Sequence, residues 1–120
     1  MTDQMLVQMM DEARRLSEKL EAGLKALRDA SADYANAEHR YREARAKAYL
    51  QAAGTVGERE ARADMLTGEL RLQRDLADGM RSSALEAVRS RRQQLSALQS
   101  LLAAHRAEAE YVRTTGGTGA

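Results

Sequence analysis

Tyr41-Arg42-Glu43-Ala44-Arg45-Ala46-Lys47-Ala48-Tyr49-Leu50, running into Gln51-Ala52-Ala53-Gly54-Thr55, decides the fold. The first ten residues form a basic, tyrosine-flanked helix end, and Gly54 supplies the residue that most readily takes the left-handed conformation past such an end. Thr55-Val56-Gly57-Glu58 then has capping-box spacing, in which the threonine oxygen accepts an amide proton of the next helix and the glutamate reaches back. The chain stops and restarts here, and so short a connection makes the flanking helices antiparallel neighbours.

Upstream, Leu6, Ala13, Leu20, Leu27, Tyr34, Tyr41 and Ala48 recur every seven residues, offset from Met9, Leu16, Gly23, Ala30, Ala37, Ala44 and Gln51. Thirteen of these fourteen positions are apolar or glycine, the pattern of a long helix with a heptad seam. Leucine and methionine fill it before residue 28, tyrosine and alanine after. Gly23 and Asp29-Ala30-Ser31-Ala32-Asp33 are the expected places for a bend.

Downstream, Leu66, Leu70, Ala77, Met80 and Ala84 are followed by Val88, Leu95, Leu98, Leu102, His105, Ala109 and Val112. The repeated step of four from Met80 to Ala84 to Val88 predicts a shift of phase. Gly68 and Gly79 each cost about 1 kcal/mol inside a helix, so a break is expected near Asp78-Gly79. The reading is all-α: one helical domain over residues 1–113, with a helix over about 3–53, a turn at 54–57 and helices over about 58–78 and 80–113. It predicts a helical hairpin with coiled-coil-like packing in a homo-oligomer, assembled through Leu85, Val88, Leu95, Leu98, Leu101 and Leu102. The remaining stretch, 114–120, has nothing to bury and is expected to be disordered.

Composition agrees. The 120 residues contain no cysteine, proline, tryptophan or phenylalanine, and 31% are charged, which favours long helices over sheets. So short a helical chain has few layers with which to enclose a core by itself, hence the expected oligomer. Without cysteine there are no disulfides, thiolate metal sites or cysteine nucleophiles, and a cytoplasmic location is the expectation. The amino terminus lacks a basic start and carries Asp3, which makes a poor signal peptide, and no apolar run approaches the ~20 residues of a membrane span.

The net charge of +1 hides an asymmetry. Residues 1–38 hold five Lys/Arg against eight Asp/Glu, whereas His39 to Arg113 hold fourteen against ten. Between Glu86 and Glu108 there is no acid, but Arg89, Arg91, Arg92 and Arg106 are present. Such a distribution points to a polyanionic partner.

Arg42, Arg45 and Tyr49 share one helical stripe, flanked by Arg40 and Lys47. Guanidinium forks suit phosphates and a phenol ring suits an unstacked base. The same residues equally suit a solvated face, because Glu38 to Arg42 and Glu43 to Lys47 are favourable i,i+4 pairs. Arg91 falls on the apolar seam and needs compensation by a carboxylate of a neighbouring copy, a phosphate, or snorkelling to water. His39 and His105 lack the carboxylates of a ligand set, so His105 reads as packing and no metal site is expected. No serine has a histidine base at a suggestive spacing and no phosphate loop occurs, so neither an enzyme nor a cofactor is expected.

Ala44-Arg45-Ala46-Lys47-Ala48-Tyr49 before a glycine turn, followed by Ala84-Leu85-Glu86-Ala87-Val88-Arg89-Ser90-Arg91, resembles the UvsY-type recombination mediators of tailed bacteriophages over roughly residues 12–110. The resemblance implies a non-enzymatic, ring-like homo-oligomer that binds single-stranded DNA. It further implies a role in loading a RecA-like recombinase onto strands coated by single-strand-binding protein, in the host cytoplasm if the chain is phage-encoded. The basic motif of the family falls on the segment before the turn, with Arg45 at one basic position and Glu43, a departure, at the other; Arg42 or Lys47 would substitute. Arg40, Arg42, Arg45, Lys47, Tyr49, Arg89, Arg91 and Arg92 are therefore the candidate DNA contacts. The other reading is a helical scaffold or adaptor acting only through protein contacts, favoured by near-neutral charge and the intrahelical ion pairs.

Overall fold

The computed structural model describes residues 2–116. Helix α1 spans Asp3–Gln51, α2 Val56–Leu66 and α3 Gly68–Gly116, and no strand occurs among the described residues. Thr2 starts α1: its hydroxyl accepts from the Met5 amide at 3.2 Å and its carbonyl from Leu6 at 3.0 Å. α1 runs through Gly23 and Asp29–Asp33 without interruption, so no break occurs there. Serine and aspartate in a helix interior cost only a few tenths of a kcal/mol each, which a well-packed seam overrides.

At the reversal Gly54 takes φ +108°. Thr55 caps α2, its hydroxyl accepting from the Glu58 amide at 3.2 Å, and the Glu58 carboxylate folds back over Gly54. α1 thus ends at Gln51, two residues short of its expected limit, and α2 starts at Val56, two residues before its expected start.

The second break is displaced from its expected place. It lies at Thr67, not at Asp78-Gly79, and α3 runs through Gly79 without interruption. Buried Thr67 donates its hydroxyl to the Ala63 carbonyl at 2.7 Å, the back-bonding that competes with regular helix, and Gly68 follows. Gly79 alone costs too little to break a helix held on both sides. At the carboxyl end, Thr114 and Thr115 donate hydroxyls to the Glu110 and Tyr111 carbonyls, both at 2.8 Å, so 114–116 are helical where disorder was expected. The rest of that expectation, 117–120, lies outside the described residues.

The chain forms two compact units, Met1–Gly23 with Ala87–Ala120, and Leu24–Glu86. The seam of α1 matches the sequence reading: thirteen of its fourteen positions are buried or half-buried, Gln51 being exposed. The seam of α3 corrects it. Leu70, Arg74, Ala77, Arg81, Ala84, Val88, Arg91, Leu95, Leu98, Leu102 and His105 alternate steps of three and four without a phase shift, and all are buried or half-buried. Exposed Met80 had been read into a seam position that Arg81 occupies.

Arginines tolerate this seam because each meets a suitable surface. In the unit Leu24–Glu86, the Arg81 guanidinium stands 5.0 Å from the Tyr34 ring centre and that of Arg74 4.5 Å from Tyr41. The two tyrosines are one heptad apart on α1 and the two arginines one heptad apart on α3 in the opposite order, so the helices are antiparallel there. Ala37, buried between the tyrosines, lets the backbones approach. In the other unit the Arg91 guanidinium donates to the Lys19 carbonyl at 3.3 Å. Gly23, one turn beyond Lys19, leaves that carbonyl accessible: a Cβ there would lie 2.9 Å from Arg91 Nη1 and 3.3 Å from Val88 Cγ2.

Candidate nucleic-acid interface

The candidate basic residues fall into two groups, one in each unit. In the unit Leu24–Glu86, the last turns of α1 carry Arg40, Arg42, Arg45, Lys47 and Tyr49. Arg40 and Arg42 are exposed; the latter donates to Glu38 at 2.6 Å along its own helix. Lys47 Nζ lies 3.0 Å from Glu43 Oε1 and His39 Nε2 3.4 Å from Glu43 Oε2. The hydrogen bond and charge of Lys47, then the charge of His39, hold the Glu43 carboxyl below its ordinary pKa. The Glu38–Arg42 and Glu43–Lys47 pairs are those anticipated from spacing; the His39–Glu43 pair was not.

Two contacts were not legible in spacing because they cross the turn. Arg45 donates to Asp64 on α2 at 3.0 Å, and this bond raises the guanidinium pKa. Tyr49 lies beneath Arg59, whose guanidinium is 4.5 Å from the ring centre and donates to the Tyr49 carbonyl at 3.2 and 3.3 Å. Arg59 thereby satisfies a carbonyl in the last turn of α1, where a cation is also favoured by the helix dipole. Its presence in the first turn of α2, where a cation opposes the dipole, was the one signal in sequence that it serves another element.

In the unit Met1–Gly23 with Ala87–Ala120, Arg89 and Arg92 are exposed, whereas Arg91 is half-buried and turned onto Lys19. The compensation that the chain itself supplies to Arg91 is a backbone carbonyl, which was not among those expected. An open groove of about 400 Å³ lies beside it, lined by Glu12, Leu16, Lys19, Ala87, Ser90 and Gln94.

The residues expected to drive oligomerisation are mostly engaged within the chain. Val88 is buried, and Leu85, Leu95, Leu98 and Leu102 are half-buried with the seam; Leu101 alone of the six is exposed, at 53%. The apolar side chains that do face solvent include Met5 and Met10 on α1, and Leu72, Leu76 and Met80 at successive steps of four along α3, off its seam. The sequence reading placed Met80 on the seam and left Leu72 and Leu76 unassigned.

Among the described residues no group of three or more His, Asp or Glu side chains is placed to hold a metal, and no helix is long and apolar enough to cross a membrane. The chain matches no protein-family model, no curated protein and no solved structure.

Proposed function

We propose that this helical chain is a single-stranded-DNA-binding recombination mediator that works as a homo-oligomer and helps to load a RecA-like recombinase onto strands coated by single-strand-binding protein. One observation carries the reading: Arg42 and Lys47 at the end of α1 are exposed and held by carboxylates of their own helix, whereas Arg45 is held across the turn by Asp64. Arg42 and Lys47 pair with acids on their own helix, with 77% and 67% of their side chains exposed. Such pairs contribute roughly 0.3–0.5 kcal/mol, so a phosphate can displace the carboxylate at little cost. Arg40 stands exposed beside them. Assembly is supported by exposed apolar side chains such as Leu101, Met5 and Leu76, which a partner copy would cover. A ring repeats a weak cationic site, and linked sites raise one another's effective concentration for a long strand.

The test is fluorescence anisotropy of a labelled oligo-dT of about 30 nucleotides at about 50 mM salt. Binding that falls with Arg40→Gln and Arg42→Gln supports the reading; absence of binding by an assembled protein removes it. A second reading, a scaffold acting only through protein contacts, is favoured by Leu72, Leu76 and Met80, exposed at 50%, 63% and 69% on one stripe of α3. An oligomer that captures a protein partner while ignoring the oligonucleotide selects it.

A further inference from the structure

In the unit Met1–Gly23 with Ala87–Ala120, helix α3 has a flank defined by its seam. The residues one place past the seam positions Val88, Arg91, Leu95, Leu98 and His105 are Arg89, Arg92, Ser96, Gln99 and Arg106, each rotated by about 100° around the helix and all exposed. No acid occurs on α3 between Glu86 and Glu108. Arg92 and Arg106 are four turns apart, about 21 Å along the axis, with a hydroxyl and an amide between them.

We propose that this flank is a second track for a single DNA strand, with Arg92 and Arg106 as its phosphate anchors and Ser96 and Gln99 as intervening donors. The proposal rests on the single-strand-binding reading and deepens it by assigning a path on α3. Arg89 adds charge at one end while keeping contacts of its own. In an antiparallel pair the residues one place past each seam share a flank, so α1 contributes Val7 and Met10, exposed at 57% and 53%, with Glu21 as the acid of that set. Two apolar side chains are too small a core for a protein interface, but they suit sugars and unstacked bases. No aromatic ring lies among these residues, so the track reads the backbone and tolerates any base sequence. It also explains why Arg91, of the three clustered arginines, is excluded: its guanidinium is committed to the Lys19 carbonyl.

The test compares the full chain with its Arg92→Gln/Arg106→Gln variant by anisotropy of labelled oligo-dT across a salt series, with circular dichroism to verify the fold. Both positions are exposed, so helicity is expected to be unchanged. The track predicts about a tenfold loss of affinity and a slope of log K against log salt shallower by about 1.4, the equivalent of two single-strand phosphate contacts. Wild-type affinity and slope in this variant overturn the track while leaving the single-strand reading intact. No binding by the wild-type chain overturns both. Tighter binding of a poly-glutamate peptide than of oligo-dT, lost in the same variant, overturns the track in favour of an acidic protein partner.

Discussion

Replacing Arg74 by methionine and Tyr41 by leucine, singly and together, isolates the contact that lets a cation occupy the seam. The guanidinium lies 4.5 Å from the ring centre, and the Arg74 side chain is 24% exposed. Cation–π pairs contribute about 0.5–1 kcal/mol when exposed and about 2 when desolvated, so a largely covered pair should couple by roughly 1 kcal/mol. Arg74→Met alone also takes the cation from Glu38, whose Oε2 is buried without a hydrogen-bond partner and only 3.6 Å from Arg74 Nε. The double-mutant cycle subtracts that loss, because it occurs with either residue at position 41. Urea denaturation followed at 222 nm supplies the four stabilities. A coupling below about 0.3 kcal/mol would refute the argument that the tyrosine face holds the arginine in place.

Val88→Ala, at the most buried large side chain, should cost about 2 kcal/mol in the same denaturation assay, combining two lost methyls with a residual cavity. The glycines should divide by sign in thermal melts. Gly79→Ala meets nothing within 4 Å and should stabilise by about 1 kcal/mol, while Gly54→Ala, at φ +108° and 2.5 Å from Glu58 Oε2, should destabilise by at least about 1 kcal/mol. Glu43→Lys removes the carboxylate that engages Lys47 and His39 and should raise oligo-dT affinity about tenfold; unchanged affinity in anisotropy would show that the α1 segment is not in contact with the strand. The Glu43 pKa is depressed, so its pairing with Lys47 is complete above the ordinary value of 4.5 and is lost as pH falls through the lowered one. Amide exchange in the last turns of α1 should therefore quicken only below about pH 4.5.

The α1 seam was legible because its residues are apolar and a period of seven identifies an inward face without knowledge of the partner. The α3 seam was not, because Arg74 and Arg81 look like surface residues until tyrosines are placed opposite them. Ignoring the two arginines forced Met80 into the series and produced a phase shift that the helix does not have. The break at Thr67 escaped for a related reason: glycine content is visible in a sequence, whereas a threonine hydroxyl turned onto its own helix is not. Of the candidate site, the pairs along one helix followed from spacing. Arg45 with Asp64 and Arg59 with Tyr49 depend on how the turn sets the register, which no local pattern encodes.

The most direct test of the account is the salt dependence of oligonucleotide binding by the unmodified chain, measured by anisotropy with oligo-dT and oligo-dA of equal length. The account predicts binding at low salt that weakens linearly in log K against log salt and scarcely distinguishes the two sequences. A chain that leaves both oligonucleotides free at about 50 mM salt, or binds one with an affinity that salt does not change, would contradict it.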